Sequence, residues 1–238
     1  MNASCPVESV GNRAVLFDSN PYVDPFEDAA MRFRLTYAGP LYSTGNDPNG
    51  EVGKVDHKHH IRKAFHPQLK RLWDIVPFLK TGRPVHPTIS WDPPDPEPIV
   101  DAKDRAKRFQ IRPWNFVPLV TEDMHFYCGI EILFMRIDHT KAVISQGGDL
   151  DGRLKTLFDA LAMPDAQQGY SDRPHESWEN PMFVLLENDR LITKVSVETD
   201  QLLEPVKVGG AFDANDARLL MTVHISPMEP ATWNLPLA

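Results

Sequence analysis

Asp149, Asp151 and Lys155 are the residues of this chain whose types and spacing best suit chemistry. They lie in the run Gly147-Gly-Asp-Leu-Asp-Gly-Arg-Leu-Lys-Thr-Leu-Phe-Asp-Ala-Leu161. The two glycines allow a tight turn. In an extended stretch, residues two apart point to one side, so the carboxylates of Asp149 and Asp151 can converge. Leu154, Leu157, Phe158 and Leu161 then recur at the spacing of a helix with one buried face. Asp151 suits the N-cap of that helix. Lys155 follows one turn later, beside the carboxylate of Asp151, and Asp159 lies a further turn on.

Two acids at a helix start can hold a hard cation, because Mg²⁺ takes oxygen ligands and usually only one or two carboxylates plus substrate phosphates. The lysine and the helix N-terminus favour the phosphate. The same residues also fit a plainer role. Asp-x-Asp before a helix can be a cap with a solvated neighbour, and Lys155 with Asp159 can be an ordinary exposed pair.

The elements that must position these residues follow from periodicity. Cys128-Gly-Ile-Glu-Ile-Leu-Phe-Met-Arg-Ile137 reads as a strand leading into the acids. Met31-Arg-Phe-Arg-Leu-Thr-Tyr37 alternates as a half-buried strand. Residues 54–75 read as an amphipathic helix with the stripe Ile61, Phe65, Leu69, Leu72 and Ile75, broken or restarted at Pro67. The six prolines between Pro84 and Pro98 mark an extended connector. Residues 101–110 suggest a short basic helix, and Pro113–Pro118 a lead into the next strand, with a second short strand around 141–145. Residues 164–181 are a polar loop. Phe183–Leu186, the run ending at Val197 and Ala217–Ile225 complete the set, with turn formers at 46–50 and 205–213. The expected class is α+β, a mixed sheet with helices packed on it.

The chain has 238 residues and a net charge of −8, with only Cys5 and Cys128 as cysteines. There is no disulfide or zinc pattern, no apolar run long enough to span a membrane, and no basic-then-apolar leader. A cytoplasmic protein is expected. Residues 54–112 carry +6 against −14 for the rest, and five of nine histidines. A basic segment on an acidic chain fits a nucleic-acid footprint or a solvated face. Lys54, Lys58, Arg62, Lys63 and Arg153 are the candidate phosphate contacts. His57, His59, His60 and His66 lack the Cys or His-Glu-x-x-His context of a metal site, so phosphate contact or plain surface is expected of them. Trp114 could stack a base but suits a core anchor better.

Asp149-Leu-Asp151, Lys155, Asp159-Ala-Leu161 and Asn188-Asp189 before a strand together resemble the RusA-type Holliday junction resolvases. The likeness covers roughly 31–75 and 126–225. It implies a RusA-like nuclease domain over 31–225, with an irregular extension 1–30, an inserted Pro-rich and basic segment 76–125, an inserted loop 164–182 and a tail 226–238. It implies Asp149, Asp151 and Asp189 as ligands of Mg²⁺ (or Mn²⁺), with Lys155 beside the scissile phosphate. It also implies a homodimer hydrolysing phosphodiester bonds in branched DNA. Gly148, Gly152 and Asn188 depart from the family pattern. The alternatives are a catalytically inert nucleic-acid-binding protein on the same fold, or a scaffold with 76–125 as its interface.

Overall fold

A computed structural model describes residues 31–43, 50–81, 101–136, 150–165, 173–203 and 215–227. The expected extension 1–30, residues 46–49 of the turn at 46–50, the connector 84–98, the strand at 141–145, the segment 205–213, residues 228–238 of the tail 226–238 and Asp149 itself lie outside these residues, while Gly50 is helical and 226–227 extend a strand.

The fold is α+β, and the described residues form two mixed sheets rather than the single sheet expected. The larger has the order β1-β7-β4-β6, built from β1 (Met31–Pro40), β4 (Phe126–Arg136), β6 (Ile192–Gln201) and β7 (Asp216–Pro227). β7 lies antiparallel between β1 and β4, and β6 runs parallel to β4 on the far side. Alternation sets the faces. Cys128, Ile130, Ile132 and Phe134 of β4 point inward, as do Leu219, Met221 and Val223 of β7, while Glu131, Leu133 and Met135 face out. The smaller sheet, β2-β3-β5, comprises β2 (Gln110–Ile111), β3 (Trp114–Val120) and β5 (Met182–Leu186).

β3 corrects the reading of Pro113–Pro118 as a mere lead-in. The strand is almost wholly buried and runs parallel to β5. With both faces covered it carries no period-2 signal, and Pro118 argues locally against a strand. Arg105, on α3 (Ala102–Arg108), is buried against this strand. Its Nη1 donates to the Pro118 carbonyl at 2.6 Å, and its guanidinium lies 5.6 Å from the Trp73 ring. Burial brings its pKa down to about 10.

Helix α1 (Gly50–Ile75) runs through Pro67 without the expected break; α2 (Pro77–Thr81) follows. Proline costs the interior of an isolated helix about 3 kcal/mol. Here Ile61, Phe65, Leu69 and Trp73 are all buried, each worth about 1.5–3 kcal/mol, so packing outweighs the breaker. Trp73 takes the place assigned to Ile75, which is 55% exposed. Beside Pro67, Gln68 serves a second element. Its Nε2 donates to the Thr36 carbonyl at 2.8 Å, and its Oε1 accepts from the Thr36 amide at 3.0 Å. The side-chain amide therefore pairs the outer edge of β1 as a neighbouring strand would.

Helix α4 (Leu150–Leu161) lies against α1 and the main core through Leu157, Ala160 and Leu161.

Candidate functional site

The motif at the start of α4 is helical two residues earlier than an Asp151 N-cap implies. Leu150 opens the helix, so Asp151 sits in its first turn and is not the N-cap. Asp151 is therefore not in extended backbone, and the same-side geometry expected of an extended Asp149-x-Asp151 does not apply. Asp151 and Lys155 are both exposed, one turn apart. The buried side of the same helix is held by Arg153, which is fully buried. Its Nη1 donates to the Leu41 carbonyl at 3.0 Å and its Nη2 to Asn215 Oδ1 at 2.9 Å.

The far end of α4 is capped by another chain-distant cation. Arg62 Nη2 donates to the Asp159 carbonyl at 2.8 Å, and its Nε to the Ala162 carbonyl at 3.1 Å. The last carbonyls of a helix lack intrahelical donors and carry the negative end of its dipole. A guanidinium answers both needs. Lys58 Nζ meets the Asp159 carboxylate at 2.6 Å on the same interface. Lys63 pairs with buried Glu179, and its ammonium lies 5.2 Å from the Trp178 ring. Four of the five expected phosphate contacts, Lys58, Arg62, Lys63 and Arg153, thus have partners inside the fold. Lys54 is half-buried.

Asp189 begins a single 3-10 turn, Asp189–Leu191, between β5 and β6. Asn188, the residue that departs from the family pattern, caps this turn. Its Oδ1 accepts from the Arg190 amide at 3.1 Å, while its Nδ2 donates to Glu122 Oε1 at 2.9 Å. An amide can do both; a carboxylate could only accept. The Met163 amide donates to the Leu186 carbonyl at 3.0 Å, joining the exit of α4 to the exit of β5. Asp189 is thereby brought to the C-terminal end of α4. It lines an open cleft of about 450 Å³ with Asp159, Asp165, Glu187 and Arg190, floored by Met163 and Pro164. Asp165 and Glu187 escaped the sequence reading, because each belongs to a turn whose neighbours come from another element.

Asp151 does not line this cleft. Eight helical residues, about 12 Å of rise, separate it from Asp159. Among the described residues, no three His, Cys, Asp or Glu side chains gather closely enough to hold a metal ion. The described residues do not by themselves make a magnesium site.

Three of the four histidines of α1, His57, His59 and His66, are buried. His57 Nε2 accepts from the Tyr42 amide at 3.2 Å, and His60 is exposed, so the two share no open face. His66 Nδ1 accepts from the Phe183 amide at 2.9 Å. Its other nitrogen, 2.9 Å from the Trp178 carbonyl, must then carry the proton. Burial, with Lys70 nearby, lowers the pKa of His66 against the opposing Trp178 carbonyl. His59 packs edge-on against Trp114, and burial plus the charges of Arg173 and Arg62 push it down to about 3. Trp114 is fully buried, with Nε1 donating to the Arg173 carbonyl at 3.0 Å. It is a core anchor and offers no face to a base. Burial works to raise Glu179, but Lys63 and the Glu176 amide outweigh it and hold its pKa below the ordinary value.

Compared with known proteins, the chain matches no family model, no curated protein and no solved structure. No described helix is long and apolar enough to cross a membrane.

Proposed function

We propose that this chain is a metal-dependent endodeoxyribonuclease that acts on branched DNA as a homodimer, the activity of the resolvases its motif resembles. The observation that carries the reading is the exposure of Asp151 and Lys155 one turn apart at the N-terminal end of α4, whose opposite face is buried. An acid and a cation held on a rigid helix, beside the positive end of its dipole, form an entry point for a phosphodiester. Lys155 would stabilise negative charge developing on the phosphate. Mg²⁺ or Mn²⁺ dependence belongs to the proposal through Asp149 and Asp151, with Asp189, which lies beside the opposite end of α4 from Asp151, a test of whether a distant acid takes part.

A second reading, a non-catalytic nucleic-acid-binding or scaffold protein, is favoured by one observation. Asp151 and Asp189, two of the three acids expected to share an ion, lie toward opposite ends of α4, with Asp189 at the C-terminal end.

Incubation with a synthetic four-way junction, a duplex and a single strand, each with and without Mg²⁺, separates the two. Metal-dependent cutting of the junction, lost in Asp149→Asn, is the expected result. Junction binding without cutting in Mg²⁺ or Mn²⁺ would reject the enzyme in favour of the binding protein. Absence of both would leave the scaffold.

A further inference from the structure

We infer that the outward face of the four-stranded sheet docks on the same face of a second copy of this chain, about a two-fold axis that runs along the strands between β7 and β4. This gives the two-copy arrangement proposed above a surface and rests on no part of the proposed chemistry.

Helices α1 and α4 pack on the inner face of this sheet. The strand registers lay out its outer face. Thr36, Leu220, Leu133 and Glu198 form one row across β1, β7, β4 and β6, and Ala38, Arg218, Met135 and Asp200 form the next. Arg34, on β1, stands one row before them. The water-facing side of such a sheet is ordinarily polar. Here Leu220, Leu133 and Met135 make an apolar patch at its centre. Leu220 is 36% exposed, and Leu133 and Met135 are half-buried. Leu220 also lines two open hollows, of about 440 and 330 Å³. Toward Arg32 and Lys194 the same face closes, since His224 and Ser226 are buried, so those two cations lie outside the contact.

The charges select the occupant. Arg34 and Arg218 stand on the β1–β7 side of the apolar patch, and Glu198 and Asp200 on its β6 side. All four are exposed. Glu131, also on the acidic side, lies 3.4 Å from His224. A two-fold axis parallel to the strands turns the face over and exchanges its two sides. β1 of one copy then lies over β6 of the other and β7 over β4, while each row meets itself. Leu220 meets Leu133 of the second copy, twice. Arg218 meets Met135 beside Asp200, and Thr36 meets Glu198 within one row of Arg34. An axis across the strands would instead lay the basic side on the basic side and the acidic side on the acidic side. An apolar centre with a polar rim is the usual anatomy of an interface, and opposite charges fix its register. Sheets packed face to face keep their strands within about 30° of each other, which the axis along the strands satisfies. The contact is isologous and closes on itself. Four strands at about 4.8 Å and three rows at about 6.6 Å bound a patch of roughly 20 Å by 20 Å, the size of a small, reversible interface.

The test uses the full chain. Analytical ultracentrifugation over a concentration series is expected to show a monomer–dimer equilibrium. Arg218→Glu should raise the dimer Kd about tenfold, by setting like charges together twice. Asp200→Arg should do the same, and the two combined should return the Kd toward its starting value. Both residues are exposed, so neither change threatens the fold. A bismaleimide spanning about 10 Å, the spacing of packed sheets, should join two copies of Leu220→Cys. It should not join Ile75→Cys, which is exposed on α1. The unsubstituted chain sets the baseline for Cys5 and Cys128. A monomer at all concentrations would overturn the inference, and duplex binding weakened by Arg218→Glu would then give the face to nucleic acid. A dimer that ignores both charge reversals and is not joined through Leu220→Cys would overturn it as well. The readout is mass, so this failure is distinct from a failure to cut DNA.

Discussion

Lys58 of α1 and Asp159 of α4 meet at 2.6 Å, and with Arg62 on the neighbouring carbonyls they lock the end of one helix to the side of the other. In the sequence each has a different apparent task, Lys58 as a phosphate contact and Asp159 as the i+4 neighbour of Lys155. The fold gives them to each other. Both side chains are mostly shielded from water, so the pair contributes more than an exposed one.

Lys58→Met should therefore lower stability by roughly 1–2 kcal/mol, between the exposed and fully buried cases. Urea denaturation measures this. If the chain binds DNA, the salt dependence of that binding should be unchanged, since Lys58 is already occupied. A reduced salt slope at unchanged stability would show that Lys58 faces phosphate instead.

Arg153→Met should cost about 3 kcal/mol or more, because it leaves the buried Leu41 carbonyl and Asn215 side chain without their donors. Arg153→Lys should recover little, since a point ammonium lacks the fork that reaches both. Thermal or chemical denaturation checks both variants. A loss under 1 kcal/mol for Arg153→Met would show that the guanidinium is not needed for folding.

Acid should destabilise the fold in a window set by His59 and His66. Both have folded pKa values below the ordinary histidine value. The unfolded chain therefore binds protons that the folded chain refuses. Stability is intact above about pH 6.5 and falls as the pH drops below it, by up to about 1.4 kcal/mol per pH unit for each histidine. For His59 the fall continues toward its folded value of about 3. Glu179, held low by Lys63, adds to the loss in stronger acid, as pH falls below its unfolded pKa toward the lowered folded one. His66→Gln keeps a donor and an acceptor but cannot titrate, so its denaturation midpoint should depend less on pH between 6.5 and 5. An unchanged pH slope would exonerate His66.

Asp151→Asn, Lys155→Ala and Asp189→Asn alter exposed side chains, so stability should shift by no more than about 0.5 kcal/mol. Under the proposed function, junction cleavage should fall about 100-fold or more in each. Cleavage assays paired with urea midpoints on the same preparations check this. Full activity in Asp189→Asn alone would remove the distant acid from the reaction and leave the motif on α4 as the site.

Much of the framework was legible because it rests on local periodicity. β1, β4, β7 and both long helices emerge from the spacing of apolar residues, and the α+β class follows from them. β3 was not legible. Its burial on both faces erased the alternation, and Pro118, which lacks the N–H that a ladder uses, argued locally against a strand. The unbroken α1 and the exchange of Ile75 for Trp73 have a similar origin, since the face a long helix buries is set by what it packs against. At the site, the sequence placed Asp151 and Lys155 on a helix start, two residues out of phase with the observed opening at Leu150.

By itself the sequence determined which segments could be strands or helices and where charge was available, since apolar spacing and composition are properties of neighbouring residues. Only the tertiary structure decided how that charge is used. Arg62 and Arg153 find their partners about a hundred residues away, because a cation carried into the interior must take whatever carbonyls or carboxylates the packing sets beside it. The same packing delivered Asp189 to the C-terminal end of α4, through a hydrogen bond between Met163 and Leu186 that no local pattern records.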